Sequence, residues 1–235
     1  MAIPENLAFK LTHADMHHDL LKIAVVAYLN SSPIGMVEMP DSVPGQTHHR
    51  IQPIKKVPGR IGLLFGDCLQ NLRSTLDYLV YELVLANGGT PNRKHMFPIA
   101  TTEDQYQRDI QNGKVRGIHP HAMMYIESLQ PFLLQIPKIS PLYLIDELTN
   151  LNKHRRPILA GVQGTKKDLI YDFPHIIGII NAAEVADGPI TESTLRLWVG
   201  VGDEPALNME VVSLIEILTF YVRNETLPLF ERFFD

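Results

Sequence analysis

The amino-acid sequence predicts an α+β fold in a single domain over residues 1–235. Three observations predict it. Helical periodicity fills much of the first two thirds of the chain, two short extended segments follow the first helix, and the last third contains short branched or aromatic segments. We expect a helical core, a short N-terminal hairpin and a small, mostly antiparallel sheet in the C-terminal third. No repeat or clear linker divides the chain, which favours one domain over two.

The first predicted helix covers residues 12–30. Thr12, followed three residues later by Asp15, has the pattern of an N-cap, and Ser31-Ser32-Pro33 stops the helix. Its apolar positions at helical spacing are Met16, Leu20, Ile23 and Ala27. Segments 34–39 and 49–55 then flank a turn-rich stretch and are predicted to pair as a hairpin.

The strongest helical pattern covers residues 61–86 and ends at Asn87-Gly88-Gly89. Its apolar positions are Ile61, Phe65, Cys68, Leu72, Leu76, Leu79 and Leu83. Shorter helices are predicted over residues 103–111, 120–130 and 141–154, and the last of these is expected to turn Leu144, Leu148 and Leu151 inward.

The predicted C-terminal strands cover residues 158–162, 169–173, 176–182 and 195–201. The last segment, residues 209–234, has two interpretations, either a strand plus a helix or two helices broken near Pro228. Its apolar end, residues 227–234, could pack on a partner, so a homo-oligomer is one expectation.

Composition limits the possible functions. A formal net charge of −5 and a pI near 6.0 argue against a protein that coats duplex nucleic acid through a broad basic surface. Cys68 is the only cysteine, which excludes a disulfide framework and a thiolate zinc cluster. We expect a cytoplasmic protein without a signal peptide, membrane span, cofactor or metal.

Polar side chains occupy the arc of the 61–86 helix opposite its leucines. They are Asp67, Gln70, Asn71, Arg73, Ser74, Asp77 and Tyr78. One interpretation is a solvated face on which Arg73 and Asp77 pair weakly along the helix. The other is a ligand site, because Asn, Ser and Asp are only moderate helix formers and a solvated face more often carries Glu, Lys and Gln.

A second polar cluster ends the 141–154 helix. It contains Asp146, Asn150, Lys153 and His154, with Arg155 and Arg156 at or just past the helix end. Cations there complement the helix dipole, which needs no function. Alternatively, the basic residues hold a phosphate while His154 exchanges a proton near neutral pH.

The two clusters resemble the motifs of a family of bacterial α+β proteins of unknown function. The matching residues are Gly66-Asp67, Asn71-Leu72-Arg73-Ser74, Leu76-Asp77 and Asn152-Lys153-His154-Arg155. In those relatives the helix commonly reads Asn-Leu-Arg-Ser-x-Leu-Asp-His, which is similar to the Arg-x4-His motif of the HEPN superfamily of helical ribonucleases and nucleotide-binding proteins. Here Tyr78 stands at the histidine position, and a tyrosine with an ordinary pKa near 10 is a poor base at neutral pH.

The resemblance implies a nucleotide or single-stranded RNA as the ligand. Arg73 would then stabilise charge on a scissile phosphate and Asp77 would orient it, while His154 would supply the missing proton transfer. The remaining expected ligand-binding residues are Asp67, Asn71, Ser74, Tyr78, Asn150, Lys153, Arg155 and Arg156.

Two further residue groups have competing interpretations. His13 and His17, with His18 and Asp15 nearby, have the spacing of a metal site but lack an obvious third ligand, so an exposed histidine-rich segment is expected instead. Cys68 lies on the apolar arc and is expected to be a core residue and not a nucleophile.

Two functional hypotheses follow from the sequence. The first is a protein with a polar site between the 61–86 and 141–154 helices that binds a phosphate-containing ligand. The second is a non-catalytic structural or interaction protein, in which Asp67 and Asp77 pair with Lys153, Arg155 and Arg156 to lock the two helices together.

Overall fold

The computed structural model describes residues 3–40, 47–53, 55–154, 160–165, 196–201, 205–206 and 209–234. Its α-helices are α1 (Glu5–Asn30), α2 (Gly59–Ala86), α3 (Glu103–Gln111), α4 (Pro120–Ser128), α5 (Pro141–His154) and α6 (Val211–Phe220). Short 3₁₀ turns at Pro131–Leu133 and Pro137–Ile139 connect α4 to α5. The predicted helices are therefore present, and those over 103–111 and 141–154 have the predicted bounds.

The predicted α+β class is wrong, because the described part of the chain is predominantly helical. Its strands form two separate antiparallel pairs, β1 (Ile34–Pro40) with β2 (Thr47–Pro53) and β3 (Ala160–Thr165) with β4 (Arg196–Val201). A two-stranded pair does not provide a sheet face broad enough to carry a core. Most of the buried apolar side chains come from helices instead.

The N-terminal hairpin is confirmed as the β1–β2 pair, in which Ile34 lies opposite Pro53 and Pro40 lies opposite Thr47. The C-terminal sheet is reduced to the β3–β4 pair within the described residues. The predicted strands over 169–173 and 176–182 lie outside them.

Helix α2 forms the centre of the core. All seven apolar positions predicted from its periodicity are buried, and Leu69, Val80 and Val84 are buried with them. The helix contacts α1, α5 and α6, so its apolar surface is wider than the single stripe that the periodicity defines. This packing fixes the orientation of α2 relative to these three helices.

The sequence prediction for α1 is wrong in its start and its face. The helix begins at Glu5 after Pro4, and Thr12 is no cap, because its hydroxyl donates to the Ala8 carbonyl inside the helix. Met16, Leu20, Ile23 and Ala27 are exposed. The residues that face the core are Leu7, Leu11, Ala14, His18, Leu21, Val25 and Tyr28. Both faces of α1 carry apolar residues, so periodicity alone does not identify the buried one.

The C-terminal segment is helical over residues 211–233, after an isolated antiparallel β-bridge between Gly200 and Glu210. Helix α6 continues into a π-helical segment, Tyr221–Thr226, and then into a 3₁₀ helix, Leu227–Phe233, that contains Pro228. Leu227 and Phe230 are buried in the chain's own core, so these two side chains are not available to a partner. In the described part of the chain, no helix is both long and apolar enough to cross a membrane.

Cys68 lies at the interface of α1 and α2, fully buried, with its Sγ 3.8 Å from the carbonyl oxygen of Ala14. Burial, and then the negative charge of Asp67, raise the pKa of the Cys68 thiol from 9.0 to about 12. The thiol is therefore a protonated core group at neutral pH, as the sequence predicts.

We predict that the raised pKa of Cys68 makes stability depend on alkaline pH. The folded state holds the thiol proton more tightly than the unfolded state, so its full contribution is present below pH 9 and is lost as pH rises toward 12. The free energy of unfolding in urea should fall by about 1.4 kcal/mol between roughly pH 8 and pH 10 because of this group.

A Cys68→Ala variant provides the control. It should be less stable at all pH values, but its unfolding free energy should change less over this pH interval. If the unfolding free energy of the variant fell as much between roughly pH 8 and pH 10 as that of the wild type, the Cys68 thiol would not be the cause of the fall.

Candidate functional site

The Arg73 side chain links three parts of the structure. It projects from the middle of α2 and is only 6 % exposed. Its Nε donates to Oδ1 of Asp146 on α5 at 3.0 Å, Nη1 donates to Oδ1 of Asp77 at 2.7 Å, and Nη2 donates to the Phe97 carbonyl oxygen at 3.1 Å. All three guanidinium nitrogens are therefore engaged inside the protein. The pairing of Arg73 with Asp77 predicted from their spacing is confirmed.

The two carboxylates around Arg73 have further partners. Oδ1 of Asp77 also accepts the Phe97 backbone N–H at 2.9 Å, and Oδ2 of Asp146 accepts from Nδ2 of Asn150 at 3.3 Å. The Asp77 and Asp146 side chains are 29 % and 31 % exposed, so water reaches their outer edges. One guanidinium therefore faces two carboxylates, and we call this cluster the Arg73 network.

The loop after Phe97 is fixed from its other side by Gln130, a buried residue that the sequence analysis missed. Its Oε1 accepts the Ala100 N–H at 3.0 Å, while its Nε2 donates to the carbonyl oxygens of Pro98 and Ile126 at 2.9 and 3.0 Å. Phe97 was missed as well, because it takes part through its backbone. A backbone partner carries no side-chain signal in the sequence.

A close contact between α2 and α5 brings the two sequence clusters together. A Cβ atom added at Gly66 would lie 2.7 Å from Cγ and 2.8 Å from Oδ1 of Asn152. The absence of a side chain at Gly66 therefore lets Asn152 approach the α2 backbone. Two residues of the family-like motifs meet here, although they are distant in sequence.

The other predicted site residues on α2 have mostly local partners. Nδ2 of Asn71 donates to the Asp67 carbonyl oxygen at 2.9 Å, and Nε2 of Gln70 donates to Oγ of Ser74 at 3.1 Å. The exposed Asp67 carboxylate lies 3.7 Å from Nδ1 of His17 on α1. These contacts are typical of a helix surface and do not converge on one point.

Tyr78 faces α1 and not the Arg73 network. The Nζ of Lys10 lies 5.7 Å from the centre of its ring, at cation–π distance. Tyr78 also lines a hollow of about 410 Å³ together with Asn6, Phe9, Lys10 and His13. The residue at the histidine position of the family motif is thus directed toward a different part of the molecule.

The second cluster is described only in part. Asn150 is exposed beside Asp146, and Lys153 and His154 end α5, in which the described side chains stop at Asn152. Arg155 and Arg156 lie outside the described residues. The predicted pairing of these cations with Asp67 and Asp77 therefore stays a prediction, and the link that the structure shows has the opposite polarity, with the cation on α2 and the carboxylate on α5.

The histidines of α1 have separate environments. Nε2 of the buried His18 lies 3.1 Å from the Val212 carbonyl oxygen and joins α1 to α6, whereas His17 is near Asp67 and His13 lines the hollow with Tyr78. Within the described ranges, no three His, Cys, Asp or Glu side chains are grouped closely enough to hold a metal ion.

A larger concavity, which we call the apolar groove, has a volume of about 640 Å³. One wall comes from the segment around the 3₁₀ turns between α4 and α5, and the other from α6 and the π-helical segment. Its lining residues are Ser128, Leu129, Gln130, Leu133, Leu134, Ser140, Pro141, Ser213, Glu216, Ile217, Phe220, Tyr221 and Glu225. The sequence analysis missed this feature, because its walls come from segments about eighty residues apart.

We predict that Arg73→Ala lowers the free energy of unfolding by about 2 to 4 kcal/mol. Removing one partner of a buried ion pair leaves the other charge unpaired, and partial exposure of both carboxylates reduces that penalty. Arg73→Lys should recover only part of the loss, because an ammonium group cannot reproduce the fork of guanidinium donors.

Urea unfolding measures the free energy of unfolding of both variants, with Lys22→Ala as the control. Lys22 pairs with Asp19 at 3.1 Å on the exposed surface of α1, so this change should cost about 0.5 kcal/mol or less. A loss for Arg73→Ala no larger than that of the control would show that the Arg73 network contributes little to stability.

We also predict that Gly66→Ala is about 1 to 2 kcal/mol less stable than Gly59→Ala, because the new methyl group displaces the Asn152 amide and this offsets the gain in helix propensity. Gly59→Ala is the matched control in the same helix. A Cβ atom at Gly59 meets no atom within 4 Å, so that variant should be neutral or slightly more stable.

Thermal unfolding of Gly59→Ala, Gly66→Ala, Asn152→Ala and the double variant Gly66→Ala/Asn152→Ala tests this contact. The double variant should lose less stability than the sum of the two single changes, because removing the Asn152 amide makes room for the methyl group. If the losses of stability of the two single variants simply added in the double variant, Gly66 and Asn152 would not constrain each other.

No family model, no curated protein and no solved structure matches this chain. The resemblance to the bacterial α+β family and to the HEPN superfamily therefore stays a prediction from short motifs. The functional argument depends on the geometry of the site.

Proposed function

We propose that this chain is a non-catalytic binding protein and that the Arg73 network is a structural connection between α2, α5 and the loop at Phe97. The observation that carries this proposal is the burial of Arg73 with all three of its nitrogens engaged. An arginine that stabilises a scissile phosphate must instead present donors to the ligand.

The charge around Arg73 supports the same conclusion. A phosphate group that reached the guanidinium would have to displace Asp77 or Asp146 from it and would then lie beside that carboxylate. Like charges in a partly desolvated site repel each other by several kcal/mol. A ligand carrying a phosphate is therefore a poor match for this position.

The titrating side chains that the structure describes in the Arg73 network are the carboxylates of Asp77 and Asp146, and both accept hydrogen bonds from Arg73. Tyr78, at the histidine position of the family motif, faces α1 instead. A structural role uses these carboxylates as ion-pair partners and requires no proton transfer.

A second candidate function is the binding of a nucleotide or single-stranded RNA at the end of α5. The contact between Gly66 and Asn152 favours it, because the basic residues Lys153 to Arg156 follow Asn152 directly in the sequence. A phosphate there would be bound by these basic side chains and not by Arg73.

Thermal unfolding against a panel of nucleotides and short single-stranded RNAs separates the two candidates. The proposed function predicts that no member of the panel raises the wild-type midpoint. A ligand present at about a hundred times its Kd would stabilise the folded state by about 2.7 kcal/mol, which is readily detected.

The control is a variant with Lys153, His154, Arg155 and Arg156 all changed to Ala, compared with Lys138→Ala at an exposed position outside the cluster. A ligand that stabilises the wild type and Lys138→Ala but not the quadruple variant would replace the proposed function with the second candidate.

A further inference from the structure

The walls of the apolar groove expose large hydrophobic side chains at high density. Ile217 and Phe220 on α6 are 54 % and 57 % exposed, and Leu133 and Leu134 on the opposite wall are exposed as well. Ile136 and Ile139, farther along the same connecting segment, are 56 % and 67 % exposed. Contiguous exposed apolar surface of this kind on a folded protein marks a site of interaction.

The α6 wall has the pattern of a helix that packs against another helix. Ser213, Glu216, Ile217 and Phe220 line the groove at positions i, i+3, i+4 and i+7, which form one continuous ridge. The wall continues into the π-helical segment, and π-helical turns occur frequently at functional sites. A helix laid between the two walls would bury its own apolar face against this ridge.

The charge of the groove defines the partner further. Among the residues that the structure describes, its lining includes the carboxylates of Glu216 and Glu225 and no Lys, Arg or His. Neither glutamate has an ion-pair partner in the part of the chain that the structure describes. Burial, and then the charge of Glu225, raise the pKa of Tyr221, which lies in the same wall. The groove therefore combines apolar anchoring positions with negative charge.

We propose that the apolar groove binds an amphipathic, basic helix of another protein, with apolar side chains between Leu133, Leu134, Ile217 and Phe220 and with Lys or Arg beside Glu216 and Glu225. The inference rests on the proposed function, in which the chain acts by binding, and gives the surface and the class of partner. A second copy of this chain is a poorer occupant, because an isologous contact would place the same acidic groove residues against each other.

The probe is a synthetic Leu–Lys peptide of roughly 18 residues, with Leu at helical i, i+3, i+4 and i+7 spacing and Lys elsewhere, long enough to form a helix. A Leu–Glu peptide of the same pattern is its counterpart. Fluorescence anisotropy at about 0.15 M ionic strength, where long-range attraction is screened, measures both affinities for the full chain.

We expect the wild type to bind the Leu–Lys peptide more tightly than the Leu–Glu peptide. Ile217→Ser/Phe220→Ser should weaken binding of the Leu–Lys peptide by about tenfold or more, because it removes two central apolar anchors. Glu216→Gln/Glu225→Gln should weaken it by roughly three- to tenfold. Both pairs are exposed, so thermal unfolding should show that the variants stay folded.

Matched controls exclude non-specific attraction of the Leu–Lys peptide to the protein surface. Glu103→Gln/Asp104→Asn removes the same charge from the exposed first turn of α3, and Ile23→Ser removes an exposed apolar residue from α1. Both controls should bind the Leu–Lys peptide as the wild type does. The proposal is overturned if the wild type binds neither peptide, if the two peptides bind equally, or if a control weakens binding as much as the groove variants.

Two other results separate the alternatives. A wild-type dimer in sedimentation that Ile217→Ser/Phe220→Ser converts to monomer would assign the groove to a second copy and overturn the proposal. Binding of a nucleotide or RNA that is lost when the residues after Asn152 are changed would overturn the proposed function but leave the peptide result intact, because none of the described groove residues belongs to that segment.

Discussion

Burial of a charged side chain at the centre of a helical core is the constraint on which this structure depends. Arg73 leaves water only because Asp77, Asp146 and the Phe97 carbonyl replace its hydration. Satisfying those donors determines which face of α5 meets α2 and where the loop at Phe97 lies. Gly66 then sets how closely Asn152 approaches the α2 backbone. Apolar packing provides the driving force for assembly, whereas these polar contacts select one arrangement of the helices.

The same constraint separates the core from the surfaces available for function. A buried guanidinium whose three nitrogens all bond within its own protein has little capacity for a ligand, and in our proposal Arg73 serves the fold. The apolar groove differs, because Ile217 and Phe220 are exposed there and two carboxylates lack a described cation. Binding at such a surface needs no reorganisation of the core.

The sequence predicts helices better than it predicts their surroundings. Periodicity on α2 identifies its buried face because leucines concentrate there, whereas α1 has apolar residues on both sides and only its neighbours decide which side is buried. The partner of Arg73 on α5 is 73 residues away, so local spacing reveals only the pair with Asp77. The predicted fold class failed for a related reason, because short branched segments indicate strands but do not show how many will pair. The apolar groove could not be predicted from the sequence, because it forms only when segments that are distant in the chain pack together.

The contacts of Arg73 also differ in the length of chain that each one closes. The bond to Asp77 lies within one turn of α2, the bond to Phe97 spans 24 residues and the bond to Asp146 spans 73. Loop-closure entropy rises with the logarithm of length, so the last closure costs about 1 kcal/mol more than the one to Phe97. Extra residues inserted between Phe97 and Asp146 would therefore burden only the connection to α5, while the shorter loop to Phe97 would keep its closure entropy unchanged.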